Sequence, residues 1–204
     1  MPEILIYSDI GPEEWGGVSA KAVKAQLDTM QDAAEITVRI NSPGGDVFDG
    51  FAIYNLLAQH PAKINVKVDG WAASAASVIA MAGDTVEMAA NALMMIHNPW
   101  TMAIGDSANM RKTADLLDQI KGSILTTYKA KTDMADEDIA ALMDAETWFD
   151  AQGAMDAGLA TAITSKVAKV TNTAKSWIRN APQEPAEPEV PAFRIAARQR
   201  FPIS

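Results

Sequence analysis

The chain has 204 residues, of which 49% are hydrophobic, so it is long enough to bury one sizeable core. Its formal net charge of −9 argues against a nucleic-acid partner, because phosphate binding depends on clustered Lys and Arg. The absence of cysteine excludes disulfides, thiolate metal sites and a cysteine nucleophile, and fits a reducing cytoplasm. No leader peptide is visible, and no apolar run approaches the ~18 residues of a membrane helix. We therefore expect a soluble, cytoplasmic protein without a membrane partner.

Strands and helices alternate along the predicted structure. The expected strands are residues 4–7, 35–40, 63–68, 85–88 and 93–96. The expected helices are residues 19–30, 47–60, 107–131, 136–143 and 150–157, together with a short apolar helix after Ser74. Such alternation predicts an α/β protein with a largely parallel sheet, whose ligands bind beyond the carboxyl ends of the strands. The turn at residues 44–45, Ser74 and His97 all follow strand ends. This convergence predicts a functional site.

The predicted helix at residues 107–131 would be about 37 Å long, more than a small domain needs for its own core. It is either an arm that packs between subunits or a plain surface helix. We assign residues 1–178 to one globular domain. Residues 179–204 begin with a Pro/Glu-rich linker and end in a basic segment, and we expect this tail to be flexible. The basic end is either a docking peptide or a solubilising end.

Ser74 lies where a strand is expected to give way to a helix. At such a corner the backbone N–H groups are unpaired, and a serine hydroxyl can be aimed outward as a nucleophile. The alternative is that Ser74 only caps the helix, since serine is a favoured N-cap residue. Of the two histidines, His97 follows an apolar strand, and His60 ends a helix and is expected to be exposed.

Three motifs resemble those of the Clp protease (ClpP) family of serine peptidases. They are INSPGG at residues 40–45, GWAAS at residues 70–74 and MIHNP at residues 95–99, in the family's order and at compatible spacings. A fourth segment, ETWFDA at residues 146–151, resembles the one that carries the family's acid. The resemblance implies a ClpP/crotonase-like fold of repeated β-β-α units with a protruding long-helix handle, and a serine endopeptidase without metal or organic cofactor.

The resemblance also implies a role for each site residue. Ser74 would be the nucleophile, His97 the general base, and the N–H groups of Gly45 and Ala75 the oxyanion hole. By alignment Glu146 stands where the family usually has Asp as the third member of the triad. Asp144 and Asp150 are its rivals for this role.

Several departures from the family pattern bear on partners. Ala145 stands where the family usually has an Arg that joins its two rings, and residues 100–102 replace a glycine-rich stretch beside the substrate. The part before residue 36 lacks a counterpart to the family's axial loops. We therefore predict a homo-oligomeric ring that works without an ATP-driven unfoldase. The chain looks more like phage and prophage head-maturation (prohead) proteases, which implies scaffold or capsid precursors as substrates and a location inside proheads.

Three alternatives remain at this point. A crotonase-type acyl-CoA enzyme would share the fold but would not need Ser74 and His97 together. A Ser–Lys peptidase would need a lysine partner, and the lysines of the long helix stand in no recognisable motif: Lys112, Lys121, Lys129 and Lys131. A catalytically silent shell or interaction protein is the third.

Overall fold

A sheet of seven strands runs through residues 2–164, the part of the chain that the computed structural model describes. The strands are β1 (Glu3–Ile6), β2 (Glu35–Ser42), β3 (Lys63–Ala73), β4 (Thr85–Ala89), β5 (Leu93–Ile96), β6 (Thr147–Asp150) and β7 (Ala162–Thr164). Five strands form the path β1-β2-β3-β4-β7, and β5 joins β3 to β6. All pairings are parallel except that of β5 with β6, so the predicted α/β class with a largely parallel sheet is confirmed.

Six α-helices lie between the strands in the described residues. They are α1 (Ala20–Asp28), α2 (Val47–Ala58), α3 (Ala75–Ala80), α4 (Ser107–Lys129), α5 (Asp136–Asp144) and α6 (Ala151–Asp156), and a short 3₁₀ helix (Glu13–Trp15) precedes α1. Ser19 caps α1, as predicted, by accepting a hydrogen bond from the N–H of Ala22 at 3.0 Å. Gly158, in the left-handed region at φ 74°, follows the end of α6 as predicted.

Strand β3 is longer than predicted. The sequence indicated that it ends near Val68 in a turn of small residues, whereas the strand continues to Ala73. The reason is a change of neighbour: residues 65–68 pair with β4, and residues 71–73 pair with β5. Small side chains therefore serve here to bring a second strand alongside β3, and that second strand is the one that leads to His97.

The core lies on the apolar face of the sheet. Alternating positions of β2 and β3 point into it and are at most 2% exposed: Ile36, Val38, Ile40, Ile64, Val66 and Val68. The opposite face of the same strands carries charged pairs, such as Arg39 with Asp69 and Lys67 with Glu87. One buried and one solvated face fix the register of the sheet, because a slip by one residue would exchange the two faces.

Helix α4 protrudes from this core as a handle. It has 23 residues, and its buried positions, Ile120, Ile124, Thr127 and Tyr128, all lie in its last three turns. The fold is thus the handle-bearing α/β fold that the sequence predicted. Within residues 2–164, no helix is both long enough and apolar enough to span a bilayer. The predicted domain boundary near residue 178, the Pro/Glu-rich linker and the basic end lie outside the described residues.

Candidate active site

Ser74 occupies a strained corner between β3 and α3. Its backbone has φ 54° and ψ −126°, a region that non-glycine residues rarely adopt, and its side chain makes no capping hydrogen bond with the helix. The interpretation of Ser74 as a simple helix cap is therefore wrong. The corner is held in place on the strand side, where the N–H of Ser74 donates to the carbonyl of Met95 at 3.0 Å. A serine on a sharp strand-to-helix turn is the arrangement used to expose a nucleophilic hydroxyl.

His97 meets this hydroxyl directly. Its Nε2 lies 2.8 Å from the Oγ of Ser74, and the imidazole is half-buried. The contact follows from the sheet, because Ala73 of β3 and Met95 of β5 are partners in parallel register. Strands β3 and β5 both end at the same edge of the sheet, just beyond this pair. The side chains of Ser74 and His97 therefore lie together there, as the sequence predicted.

Burial lowers the pKa of the His97 imidazole below its ordinary value, and the negative charge of Glu146 raises it by a smaller amount. The net effect favours the neutral imidazole, which is the form that can accept a proton. A neutral His97 in contact with a serine hydroxyl is the combination that general-base catalysis needs.

Strand β6, which the sequence analysis missed, brings Glu146 towards His97. The antiparallel pairing of β5 with β6 places Ile96 opposite Thr147. The residue after Ile96 is His97 and the residue before Thr147 is Glu146, so these two residues lie opposite each other. Glu146 has a left-handed backbone, φ 48°, and an exposed side chain. The negative charge of the Glu146 carboxylate raises the pKa of His97. Among the hydrogen bonds of the described residues, none joins these two side chains.

The two rival carboxylates have other partners. Asp144 accepts hydrogen bonds from Nδ2 of Asn98, at 2.7 Å, and from Nζ of Lys121, and these two donors hold its pKa below the ordinary value. Asp150 caps helix α6 by accepting from the N–H of Gly153 at 2.7 Å. Of these three carboxylates, Glu146 is the one whose charge acts on the pKa of His97.

The turn at residues 43–45 lies against the nucleophile. A Cβ on Gly44 would lie 2.7 Å from the Cβ of Ser74 and 2.6 Å from the carbonyl oxygen of Ala73, so only glycine permits this approach. The residues on either side of Gly45 are both hydrogen-bonded to Ile10. The N–H of Ile10 donates to the carbonyl of Gly44 at 2.7 Å, and the N–H of Asp46 donates to the carbonyl of Ile10 at 2.8 Å. Among the hydrogen bonds of the described residues, none uses the N–H of Gly45 or of Ala75. Both residues line the same cleft as Ser74.

A cleft of about 840 Å³ contains Ser74 and His97. Its wall includes the segment that follows β1, the glycine turn and the buried end of α4; the lining residues include Ile10, Pro12, Trp15, Gly44, Gly45, Trp100, Leu117 and Tyr128. Trp15 and Trp100 are 86% and 73% exposed and stand at its rim. Neither Ile10 nor Trp15 was predicted to line the site, although two large apolar residues in a polar turn are a signal that could have marked them.

The remaining histidine and three of the lysines are engaged elsewhere. His60 is half-buried rather than exposed as predicted, and its Nδ1 accepts a hydrogen bond from the N–H of Ala62 at 3.1 Å. Lys121 pairs with Asp144, Lys129 with Asp136, and Lys131 donates to the carbonyl of Gly83. The side chain that contacts the Ser74 hydroxyl is that of His97 and not that of a lysine, which argues against a Ser–Lys peptidase.

Comparison with known proteins shows the family to which the chain belongs. Residues 9–167 match the sequence profile of the family described as Clp protease. The chain is 31% identical over 158 residues to ATP-dependent Clp protease proteolytic subunit 3 of Streptomyces coelicolor, covering 75% of this chain and 73% of that protein. It is 29% identical over 161 residues to the ATP-dependent Clp protease proteolytic subunit of Bacteroides fragilis, covering 78% of each. A mutant of ClpP1 from Listeria monocytogenes superposes with a TM-score of 0.70 at 26% identity, over 79% of this chain and 90% of that one. The chain therefore belongs to the Clp protease family.

Proposed function

We propose that this serine-type peptidase of the Clp family cleaves polypeptides with Ser74 as nucleophile and His97 as general base. The observation that carries the proposal is the 2.8 Å contact between Ser74 Oγ and His97 Nε2 at a strained strand-to-helix corner. Gly45 and Ala75 supply the N–H groups of the oxyanion hole, and Glu146 is the acid that stabilises the charged imidazole.

Each proton transfer and each charge in the proposed reaction can be assigned to a group of this site. As Ser74 Oγ bonds to the scissile carbonyl carbon, its proton passes to His97 Nε2. The carbonyl oxygen becomes an oxyanion that the two backbone N–H groups stabilise. His97 then protonates the leaving amine, which leaves an acyl ester on Ser74. A water molecule that His97 deprotonates hydrolyses this ester and restores the free serine.

This activity requires neither a cofactor nor a nucleotide at the reacting atoms. We accordingly expect ATP-independent cleavage of short peptides by a homo-oligomer in the cytoplasm, although the relatives named above carry ATP-dependent in their names. Ala145 and the apolar rim residue Trp100, both departures from the family pattern, support a working form without an unfoldase. Analytical ultracentrifugation showing only monomer in an active preparation would refute the oligomer.

For the biological role we propose head maturation in a phage or prophage, with scaffold or capsid precursors as substrates. The proposal is supported by the same departures from the family pattern and by the basic end that follows a Pro/Glu-rich linker in an acidic chain. The alternative is a proteolytic subunit of the kind named among the relatives. Cleavage of a purified scaffold protein without ATP would support head maturation, and cleavage only with an unfoldase and ATP would support the alternative.

Labelling by a fluorophosphonate tests the proposed function. We expect the purified full-length protein, in buffer without nucleotide, to form a covalent adduct on Ser74 that peptide mapping by mass spectrometry locates. The physical reason is that His97 raises the nucleophilicity of the hydroxyl it contacts.

Ser8 and Ser19 in the same digest serve as internal controls, because their hydroxyls donate to the carbonyl of Asp9 and to the carboxylate of Glu13. A folded oligomer without label would favour the silent shell protein. An unlabelled protein that binds acyl-CoA would favour the crotonase-type alternative.

The pH dependence of labelling tests the assignment of Glu146. In the wild type the rate is expected to rise with pH through a midpoint below 6.5, because burial lowers the pKa of His97 and only the neutral imidazole accepts the proton. Glu146→Gln removes a charge that raises this pKa, so the midpoint moves to lower pH. The plateau rate falls as well, because the imidazolium formed during reaction loses its stabilising charge.

Two matched variants complete this test. Asp144→Asn and Asp150→Asn remove a negative charge of the same segment and should leave the midpoint in place, since these carboxylates pair with Lys121 and with the start of α6. A shift in Asp144→Asn or Asp150→Asn together with an unmoved midpoint in Glu146→Gln would reassign the acid.

A further inference from the structure

A buried chain of hydrogen bonds joins the handle helix to the nucleophile. The phenol oxygen of Tyr128, near the end of α4, lies 2.8 Å from Oγ of Ser77. Ser77 Oγ lies 2.6 Å from the carbonyl oxygen of Ser74. Ser77 is 0% and Tyr128 is 1% exposed, so water does not compete for either hydroxyl.

The direction of the chain follows from hydrogen-bond chemistry. A carbonyl oxygen only accepts, so the single hydroxyl proton of Ser77 is donated to Ser74. Tyr128 must then donate its own proton to Ser77. Burial raises the pKa of Tyr128 far above its ordinary value, so this proton is present throughout the pH range of catalysis.

The carbonyl at the end of this chain belongs to the peptide unit that carries an oxyanion donor. The C=O of Ser74 and the N–H of Ala75 lie in one plane and point in opposite directions across a trans peptide bond. The backbone N–H groups of Ser77, at 2.9 Å, and Val78, at 3.4 Å, also donate to this carbonyl as part of helix α3. The Ser77 hydroxyl adds a shorter bond that comes from a side chain and is anchored outside α3.

We propose that Ser77 and Tyr128 are positioning residues that set the orientation of the Ser74–Ala75 peptide and thereby aim the Ala75 N–H at the oxyanion. The inference rests on the proposed function, since it concerns the oxyanion hole of that reaction. The peptide plane turns with ψ, and serine has no intrinsic preference for −126°, so hydrogen bonds to the Ser74 carbonyl must hold the plane; the Ser77 hydroxyl adds to the two from the α3 backbone. The hydroxyl of Tyr128 on helix α4 thus contributes to the oxyanion hole through Ser77 and Ser74.

Tyr128→Phe tests the proposal with the least disturbance, because it removes the hydroxyl and keeps the buried ring. We expect kcat on a fluorogenic peptide to fall roughly three- to tenfold with KM unchanged, as the loss of one buried hydrogen bond predicts. Affinity for a peptide boronate, whose tetrahedral adduct places an oxygen in the oxyanion hole, should fall by the same factor. Ser77→Ala should give at least as large a loss in both quantities.

Thr127→Val is the matched control. Thr127 is also buried on α4, at 8% exposure, but its hydroxyl donates to Ser123 of the same helix at 3.1 Å. It should lower Tm about as much as Tyr128→Phe while leaving kcat and boronate affinity unchanged. Unchanged kcat and boronate affinity in Tyr128→Phe, or an equal loss in Thr127→Val, would overturn the positioning role alone. A wild type that fluorophosphonate does not label at Ser74 would instead overturn the proposed function and this inference with it.

Discussion

Replacing His97 by alanine is expected to lower peptide turnover by about 10⁴- to 10⁶-fold. Without the imidazole, the Ser74 hydroxyl has no acceptor for its proton, and the leaving amine has no donor. Residual activity comes from substrate binding and the oxyanion donors alone, which the substitution leaves in place. The measurement is kcat on a fluorogenic peptide, together with the rate of fluorophosphonate labelling of Ser74, which should fall in parallel.

The other histidine of the chain provides the control for this experiment. His60 lies in the turn after α2, where it accepts one backbone hydrogen bond from Ala62. His60→Ala should lower stability by about 1 kcal/mol through the loss of that bond and leave turnover unchanged. Turnover in His97→Ala within tenfold of the wild type would mean that another base activates Ser74, and the proposed triad would be wrong.

The second large effect is expected from Gly44→Ala. A Cβ at this position would lie 2.6 Å from the carbonyl oxygen of Ala73 and 2.9 Å from the nitrogen of Ala75, and the backbone has φ 96°. The turn must therefore move away from the nucleophile, which carries the N–H of Gly45 away from the oxyanion. Loss of one such donor typically costs about 10²–10³ in kcat. The strained backbone adds a loss of roughly 1–3 kcal/mol in stability.

Gly122→Ala is the matched control for this substitution. Gly122 is exposed on the solvent face of α4, and a Cβ there meets no atom within 4 Å. Alanine in a helix is more stable than glycine by about 0.5–1 kcal/mol, so we expect a small gain in Tm and unchanged turnover. Both variants are compared by kcat and by thermal unfolding. A Gly44→Ala enzyme with wild-type kcat would show that the turn at residues 43–45 supplies no oxyanion donor.

The positions of Ser74 and His97 were predictable because they follow from a simple rule about parallel sheets. Apolar runs of strand-like composition mark the strands, and the carboxyl ends of parallel strands meet at one edge. The rule requires only that the runs be recognised, which the alternation at the start of β3 and the apolar run of β5 allow. Ser74 and His97 could therefore be placed in one site without knowledge of the exact strand order.

The places of Glu146 and of the Ser77–Tyr128 pair were not predictable in the same way. Glu146 comes into range through β6, a four-residue strand whose alternate side chains are exposed, so its sequence carries little hydrophobic signal. Its register against β5 is a tertiary feature. Similarly, Tyr128 and Ser77 are 51 positions apart, and each looks like an ordinary helix residue until α4 packs against α3.

The pairing of β3 with β5 also bears on what a substrate must do when it binds. Three consecutive residue pairs join β3 to β5, and the N–H of Ser74 then donates to the carbonyl of Met95. These contacts fix the two strands that lead to Ser74 and His97. The loss of conformational freedom needed to bring nucleophile and base together is therefore incurred when the chain folds, and not at each encounter with a peptide. An incoming peptide has only its own freedom to lose, and its contacts with the cleft remain available to orient the scissile bond.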